Sequence, residues 1–416
     1  MKRMLLFLFI SGWLSAQNIL IPMDLNQTDH LKAYGVAYWF LQQGINVEWL
    51  LNYRSGSFMM VSDPAIKRLC RIRGVYFETI SGTEITLIYQ TIENNNMEVV
   101  LLEKAPKIAV YTPPNKQPWD DAVTLALTYS EIPYKTLFDE EVLRGELNQY
   151  DWLHLHHEDF TGQYGKFYAS YRNAAWYIRQ KELFESEASR LGFKKVSSLK
   201  LAVVLTIRNY ISHGGFLFAM CSATDTYDIA LAAQNTDICD TVFDHDPVAS
   251  DYQSKLDYSY CLAFENFSLH INPMIYEYSN IDITPPNQQL PSNGIRDYFT
   301  LFDFSAKYDP VPSMLTQNHV SVVHNFMGQT TGYHKSLIKA SVVIMAEKEG
   351  TDHVKYIHGN LGEGTFTFLG GHDPEDYQHF VGDPPTELSL HKNSPGYRLI
   401  LNNILFPAAK KKKQKT

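Results

Sequence analysis

The sequence predicts an α/β protein, with a doubly wound, mostly parallel sheet in its larger second part and a smaller α/β unit before it. Three observations lead to this prediction. Strand-like and helix-like segments alternate from residue 18 onward, the order that builds parallel sheets covered by helices. The run Phe216–Met220 is apolar without a break and follows two glycines, as in a strand buried on both faces. A second strand, Thr365–Leu369, also leads into a Gly-Gly pair and a polar loop.

The first unit, residues 17–105, begins with a predicted βαβ arrangement. Ile19–Met23 predicts a strand, His30–Gln43 an amphipathic helix, and Val47–Leu51 a second strand. Residues 54–63 are polar and irregular, which predicts a loop. The rest of this unit is expected to form a helix, a strand, a helix and a strand, at Pro64–Arg71, Val75–Ile80, Glu84–Ile92 and Val99–Leu102.

The second series, residues 106–408, is expected to form the main sheet. Its early elements alternate as strand 107–111, helix 120–129, strand 134–138, helix 140–147 and strand 152–155. A long helical insertion, Ala169–Leu191, and a helix at Leu199–Ile211 follow. The later pattern is less regular. It predicts strands at Phe264–Ile271, Val320–Val323 and Ala340–Met345, a Pro- and Asn-rich loop at Pro285–Gly294, and a last helix at Pro395–Ile404.

Cys221 directly follows the strand 216–220, where the hydrophobic period changes from that of a strand to that of a helix. Thr224 or Asp225 can cap the helix expected through residues 227–233. A side chain on such a turn is held at the carboxyl edge of the sheet, where open α/β folds bind ligands. A helix N-terminus also lowers the pKa of a thiol. We call this turn the elbow, and Cys221 is its candidate nucleophile.

The elbow resembles the class I glutamine amidotransferase-like superfamily, whose members place a nucleophile after a strand led by Gly-Gly. The loop Gly370-Gly371-His372-Asp373-Pro374-Glu375 is similar to the Gly-His-Asp-Pro-Glu of the trehalose-utilisation-like branch and to the His-Pro-Glu of amidotransferases. The resemblance implies a flavodoxin-like fold over about residues 106–408. This chain departs from the pattern because Ala219 and Ala223 stand where the amidotransferases have glycine, and because Asp373 is inserted after the histidine.

Cys221, His372 and Glu375, or Asp373 in place of Glu375, are therefore the candidate catalytic residues. A thiol nucleophile needs a base within ~3 Å and a group that orients that base. Both loops follow strands that are expected to end on the same edge of the sheet. The structural alternative makes Cys221 a small buried core residue and His372 a helix cap.

A second polar group follows the strand Trp152–Leu155, in the sequence His154-Leu155-His156-His157-Glu158-Asp159. We expect His156, His157 and Glu158, together with Asp225, to contact a substrate at the carboxyl edge. These imidazoles could also bind zinc or iron with His372, either with or without Cys221 as a further ligand. The spacing matches no established metal motif, so hydrogen-bonded structural groups are the alternative, and the cofactor question stays open.

The composition is that of an ordinary globular protein, and its charge argues against a nucleic-acid partner. The expected partner is a small-molecule ligand. The 416 residues are 45% hydrophobic and 19% charged, with a formal net charge of −9. An acidic balance argues against a nucleic-acid partner, and the sequence has no Gly-rich phosphate loop that would indicate ATP or NAD. Four cysteines do not make a disulfide framework in a chain of this length. The oligomeric state is left open.

Residues 1–16 predict a secretory signal. Met1-Lys2-Arg3 gives the charged region, residues 4–14 the apolar region, and Ser15-Ala16 the small residues before cleavage. The apolar run is shorter than the ~20 residues that span hydrocarbon. We therefore expect a periplasmic or secreted protein that begins near Gln17 and has no transmembrane segment after cleavage. Residues 409–416 form a lysine-rich tail, which predicts a solvated chain end.

These patterns favour a hydrolase that acts on an amide or carbohydrate-derived small molecule through the elbow cysteine. The alternative is a non-catalytic ligand-binding protein on the same fold. The end of the chain also resembles exported proteins that carry the name asparagine synthetase B, which implies glutamine-dependent amide transfer. The motifs do not support that activity, because the chain has neither a cysteine at the mature N-terminus nor a Ser-Gly-Gly-x-Asp-Ser loop for ATP.

Overall fold

The computed structural model describes residues 17–115, 117–283, 298–324, 326, 328–376 and 381–409. The predicted signal at 1–16, the predicted loop Pro285–Gly294 and the lysines from residue 410 lie outside the described residues. The described chain forms a five-stranded sheet and a ten-stranded sheet, with helices packed on them. The α/β class predicted from the sequence is confirmed.

The first sheet and its helices use residues 18–102. Helix starts are fixed by side chains: Asp29 and Asp63 accept hydrogen bonds from backbone N–H groups of the helices that follow them, and Ser81 forms a capping box with Glu84. The strands are β1 (Asn18–Ile21), β2 (Val47–Leu51), β3 (Ser57–Val61), β4 (Glu78–Ile80) and β5 (Glu98–Leu102), and the helices are α1 (His30–Gln42), α2 (Pro64–Arg73) and α3 (Gly82–Asn94).

The predicted strand, helix and strand of the βαβ opening are present as β1, α1 and β2, but the predicted loop at 54–63 is wrong, because residues 57–61 form β3. The strand order is β4-β1-β3-β2-β5, and every neighbouring pair is antiparallel. Strand β3 lies between β1 and β2, so these two strands do not pair with each other. Strand β3 was predicted as a loop because the residues around Gly56 are polar. Phe58 and Met60 of this strand are nevertheless buried in the core.

The second sheet takes up most of the remaining chain. Its strands are β6 (Ile108–Tyr111), β7 (Lys135–Leu137), β8 (Trp152–Leu155), β9 (Phe216–Met220), β10 (Tyr298–Leu301), β11 (Val322–His324), β12 (Tyr333–His334), β13 (Val343–Glu347), β14 (His353–Leu361) and β15 (Gly364–Leu369). The helices are α4 (Ala122–Tyr129), α5 (Asp139–Leu143), α6 (Tyr168–Tyr171), α7 (Ala175–Arg190), α8 (Val196–Ser212), α9 (Ser222–Ala232), α10 (Thr241–Asp244), α11 (Pro310–Leu315) and α12 (Pro395–Leu405).

This sheet is mixed, which corrects the prediction of a mostly parallel one. Its main path is β11-β10-β13-β14-β15-β9-β8-β6-β7, with β12 paired to β14. The pairs from β15 to β7 are parallel, and those from β15 to β11 are antiparallel. The parallel half holds the elbow strand β9 between β8 and β15, so the loops after β8, β9 and β15 meet at one edge.

Alternate residues of the parallel strands face two separate cores. Ile108 and Val110 of β6 pack into a core that also contains α1, α4 and α12. Ala109 and Tyr111 pack into a core that contains α5, α8 and α9. Helices therefore cover both faces of the parallel half, and α1 joins the first unit to the second through the core that it shares with α12.

One buried ion pair lies in the second of these cores. Nζ of Lys200, on α8, is 2.9 Å from both carboxylate oxygens of Asp139, at the start of α5. The hydroxyl of Tyr111 also donates a hydrogen bond to Asp139. Lys200 and Asp139 are both buried, so each charge depends on the other for compensation.

Several predicted segments differ from the structure in extent or type. The predicted strand Phe264–Ile271 forms only isolated bridges, at Phe264 and Leu269, because its apolar side chains are buried without a continuous partner strand. Strands β10 and β14 were not predicted. Within the described ranges, the chain has no helix that is both long and apolar enough to span a membrane.

Candidate active site

The elbow has the backbone conformation of a strained strand-to-helix turn. Strand β9 ends at Met220, and α9 begins at Ser222, so Cys221 alone makes the turn. Its φ is 51° and its ψ is −138°. The predicted caps are wrong, because Thr224 and Asp225 lie inside α9. A non-glycine residue at such a positive φ is strained and is held there by its surroundings.

Two neighbouring loops hold the elbow in place. The backbone N–H of Cys221 donates to the carbonyl of Gly371, at 3.1 Å. The backbone N–H of Ala223 donates to the carbonyl of His156, also at 3.1 Å. The elbow is thereby tied to the loop after β15 on one side and to the loop after β8 on the other.

The Cys221 thiol is fully buried and borders the same glycine as His372. A side chain built on Gly328 would place its Cβ 3.1 Å from the thiol sulfur and 3.1 Å from Cβ of His372, so both residues border the same glycine. Burial raises the pKa of Cys221 to about 11, opposed by hydrogen bonds from the backbone N–H groups of Thr330, Gln329 and Ser222. These N–H groups favour negative charge on the sulfur.

Three histidine rings, which we call the histidine cluster, lie at the same edge: His156, His157 and His372. The ring centroids of His156 and His157 are 3.9 Å apart, and those of His157 and His372 are 4.1 Å apart. The third pair, His156 and His372, is separated by 4.4 Å. One ring nitrogen from each residue lies within 4.8 Å of the other two. The sequence predicted these histidines as neighbours across two loops, and the structure brings them together.

The loop before α4 orients this cluster, and the sequence did not reveal it. One carboxylate oxygen of Asp121 lies 3.4 Å from Nδ1 of His156 and 3.3 Å from Nε2 of His154. Burial opposes ionisation of Asp121, but its contacts with the two histidines prevail and hold its pKa well below the usual range. Nε2 of His372 donates to the carbonyl of Asp120, at 3.2 Å.

A signal for this loop was present in the sequence. Asp120 and Asp121 follow β6, and β6 is the parallel neighbour of β8. Carboxyl ends of neighbouring parallel strands meet at one edge of the sheet, so acidic residues after the first strand of the series should have been grouped with the histidines.

Glu375 and Asp373, the predicted orienting carboxylates, have other partners. One carboxylate oxygen of Glu375 lies 3.1 Å from Nδ1 of His391. Asp373 is fully buried and accepts hydrogen bonds from the hydroxyls of Thr386 and Tyr397, both at 2.8 Å. These contacts give Asp373 a structural role in the loop and direct Glu375 toward His391.

The other predicted binding residues lie around the elbow. Glu158 accepts the backbone N–H of His156 at 2.6 Å, and burial raises its pKa to about 7. Asp225 is fully buried on α9 and accepts a hydrogen bond from the hydroxyl of Thr330 at 3.1 Å. Burial raises the pKa of Asp225 to about 7, and its second carboxylate oxygen has no hydrogen-bond partner.

Buried polar groups surround Asp225. The carboxyl of Asp282 has its pKa raised well above the usual range by burial and by the charge of Asp225. Lys166 donates from Nζ to the carbonyls of His270 and Glu277, and burial lowers its pKa to about 8. These groups form the polar surroundings of the elbow on the side of α9.

Two cavities in the described residues lie away from the elbow. One, of about 300 Å³, is lined by residues that include Lys195 and Cys239, and the other, of about 270 Å³, by residues that include Asn52 and Gln317. Neither is lined by Cys221 or by the histidine cluster. We place the candidate site by the convergence of reactive side chains, because the polar groups that could perform chemistry are at the elbow.

Comparisons with known proteins give this chain no family. No family model matches it, and no curated protein does. Among solved structures, two cytoplasmic proteins from Salmonella typhimurium, one of them from strain LT2, match with a TM-score of 0.34 and 9% sequence identity. Each match covers 73% of this chain and 100% of the other.

Proposed function

We propose that this protein is an exported hydrolase that acts on an amide or carbohydrate-derived small molecule, with Cys221 as its nucleophile. The observation that supports the proposal is the backbone of Cys221, which adopts a φ of 51° and a ψ of −138° between a buried strand and a helix. Strain of this kind costs on the order of 1–3 kcal/mol and is concentrated at functional sites. A residue that only filled the core would not need it.

The order of the parallel strands supports a relation to the class I glutamine amidotransferase-like superfamily. Numbered along the second series, the parallel half runs 2-1-3-4-5, from β7 through β6, β8 and β9 to β15. This is the flavodoxin-like order, with ligands expected at the carboxyl ends of the strands. Ala219 and Ala223, which replace the usual glycines, are both small and fully buried beside the elbow.

The proposed chemistry is acyl transfer through the thiol. The sulfur of Cys221 bonds to the carbonyl carbon of the substrate, while the proton of the thiol passes to Nδ1 of His372. His372 then gives that proton to the leaving nitrogen, and water cleaves the thioester. The carbonyl of Asp120 accepts the Nε2 proton of His372 and so takes the orienting role that the sequence assigned to Glu375.

A panel of primary amides, N-acyl amino acids and glycosylamines tests the proposal, with release of ammonia or amine as the measured signal. Cys221→Ala should abolish hydrolysis of any active compound, whereas Cys70→Ala, which changes a buried cysteine in the first unit, should retain it. Hydrolysis that persists in Cys221→Ala would contradict the nucleophile assignment.

A non-catalytic ligand-binding protein is the second candidate. It is favoured by the burial of Cys221 and His372, both 0% exposed, because a substrate must reach the thiol before it can be cleaved. Binding of a panel compound by the wild-type protein, with no cleavage and equal affinity in Cys221→Ala, would favour this second function.

A further inference from the structure

We infer that His156, His157 and His372 together bind one transition-metal ion of the zinc class. The three residues come from two loops that are more than two hundred positions apart in the chain, yet one nitrogen of each lies within 4.8 Å of the others. The inference rests on the proposed function only for its location, since it concerns the same edge of the sheet. Because the ion takes the Nδ1 lone pair of His372, this residue is a ligand while the ion is bound and serves as the base of the proposed acyl transfer only in the metal-free protein.

The contacts of two of the histidines determine which nitrogen faces the ion. In His156, neither ring nitrogen has a hydrogen-bond partner among the described residues. Nδ1 lies 3.4 Å from a carboxylate oxygen of Asp121, an ion-pair contact, so Nε2 is the nitrogen that is left for the ion. In His372, Nε2 donates its proton to the carbonyl of Asp120, so Nδ1 carries the lone pair. Metal-binding histidines characteristically give one nitrogen to a carboxylate or a backbone carbonyl and the other to the metal.

A buried imidazole nitrogen without a hydrogen bond is costly, and native structures rarely leave one. Nε2 of His156 is such an atom, and His156 is only 2% exposed. A metal ion at this position satisfies it. Hydrogen bonding within the described residues does not, so the burial of His156 is itself evidence for a ligand.

The second contact of Asp121 strengthens this interpretation. The same carboxylate oxygen that faces His156 also lies 3.3 Å from Nε2 of His154, which is fully buried behind the cluster. Because Asp121 contacts both histidines, a rotation of its side chain away from His156 would also break its contact with His154. Asp121 and His154 thus form a second layer of contacts behind His156, of the kind that orients the ligands in metal sites.

The ligand set identifies the class of ion. Three neutral imidazoles suit zinc, iron, cobalt, nickel or copper, whereas magnesium and calcium prefer oxygen ligands. A tetrahedral zinc ion with bonds of about 2.0–2.1 Å needs its nitrogens roughly 3.4 Å apart, with each ring plane directed at the ion. The planes of the three rings now differ by 16°, 27° and 32°, so the rings must turn on binding as their nitrogens approach one another. A three-histidine set leaves one coordination position open, as in catalytic zinc sites.

Cobalt binding to the full chain tests the inference. After treatment with a chelator, the wild-type protein should bind one Co²⁺ per chain, with the visible absorption of a tetrahedral or five-coordinate site. His156→Ala and His157→Ala should each weaken binding at least ~100-fold. Asp121→Asn removes the charge that faces the histidines and keeps an oxygen for the N-cap of α4, so it should weaken binding roughly 10–100-fold. His353→Ala, at a partly exposed histidine on β14, is the matched control and should bind as the wild type does.

Absence of a one-to-one site in the wild-type protein would overturn the inference, as would a site that survives both histidine substitutions. Circular dichroism shows whether each variant is folded, and if His156→Ala is not, the less buried His157 decides. Cys221→Ala should keep the one-to-one stoichiometry. If Cys221→Ala loses hydrolysis but the wild-type protein has no metal site, this inference alone is overturned. If the protein has a metal site but its hydrolysis does not depend on Cys221, the proposed function alone is overturned.

Discussion

Replacement of Asp225 by asparagine should make the protein more stable at alkaline pH while impairing its function. Asp225 is fully buried near the elbow, and one of its carboxylate oxygens has no hydrogen-bond partner. The other accepts from the hydroxyl of Thr330 and from the backbone N–H of Thr226. Asparagine keeps one acceptor oxygen for these contacts and removes the charge. A buried carboxylate that is held at a cost to stability, close to the candidate nucleophile, is expected to serve a ligand.

The magnitude follows from the pKa. Burial raises the pKa of Asp225 from 3.8 to about 7, so between these values the folded protein keeps a proton that the unfolded chain releases. Stability is therefore lost as pH rises through this window and stays low above it. At about 1.4 kcal/mol per pKa unit, the cost is roughly 1.5 kcal/mol at pH 5 and ~4 kcal/mol at pH 8. The advantage of Asp225→Asn should grow by about 2–3 kcal/mol between these two pH values.

Urea unfolding of the wild type and the variant at pH 5 and pH 8 measures this difference. Asp228 supplies the control, because it is also buried on α9 and burial raises its pKa to about 6. Its carboxylate accepts three backbone N–H groups, from Leu262, Ala263 and Phe264, at 2.7, 2.7 and 2.9 Å. Asparagine has only one acceptor oxygen, so Asp228→Asn loses hydrogen bonds worth about 1–3 kcal/mol. Because the pKa of Asp228 is raised only to about 6, removal of its charge gains only ~1.4 kcal/mol between pH 5 and pH 8, about half the gain of Asp225→Asn.

The reasoning is refuted if Asp225→Asn destabilises the protein at pH 8 as much as Asp228→Asn does. That result would make the Asp225 carboxylate a structural group. A variant that is more stable but binds and cleaves its substrate as well as the wild type would refute the functional part alone.

Three further predictions concern other parts of the chain. Lys200→Met leaves the charge of Asp139 buried without its cation, so it should cost about 3–5 kcal/mol in urea unfolding; an unchanged midpoint would show that the pair is not needed. Gly371→Ala should prevent folding or destroy the site, because its Cβ would overlap the backbone carbonyl oxygen of Phe326. Gly350→Ala is the control, since Gly350 has a similar positive φ and open space around it, and it should cost only ~1 kcal/mol by thermal melting. Equal effects of the two substitutions would contradict the proposed packing beside the elbow. N-terminal sequencing of the protein from fractionated cells should find a chain that begins near Gln17 outside the cytoplasm, and an intact N-terminus in the cytosol would contradict export.

The elbow could be predicted from sequence because its signals are local. The apolar run Phe216–Met220 and the small residues after Cys221 determine a strand and a helix without help from the rest of the chain. The start of α9 was less predictable. Cys221 itself occupies the position before the helix in a positive-φ conformation, and no residue type other than glycine or asparagine signals that conformation in a sequence.

Strand β14 was missed because it carries polar residues in buried positions. Strand β14 holds Lys355 and His358 in buried positions, so its pattern does not resemble an apolar strand. Lys355 is accommodated because its Nζ donates to the carbonyl of Phe326, and His358 because its Nδ1 bonds to the hydroxyl of Thr367. These partners lie outside β14, 29 and 9 residues away in the chain, and cannot be read from the strand itself.

The candidate site was only partly predictable for the same reason. His156 and His157 are adjacent, and His372 follows a recognisable strand, so the sequence could associate them. The role of Asp121 depends on the pairing of β6 with β8, which is a property of the sheet. Glu375 was predicted to orient His372, but its carboxylate faces His391, which lies in a later loop. The sequence around Glu375 does not indicate this partner.

Alkylation of the native protein by iodoacetamide, followed by peptide mapping, tests the central claim most directly. The other three cysteines, Cys70, Cys239 and Cys261, are internal controls, because all are buried and burial raises the pKa of each thiol, that of Cys70 to about 12. At Cys221 three backbone N–H groups oppose this effect, and thiolate content controls reactivity. We predict that Cys221 is modified at least ~10-fold faster than the others, in step with loss of hydrolysis. A Cys221 that stays unmodified, or that reacts no faster than Cys70, would contradict the assignment of Cys221 as the nucleophile.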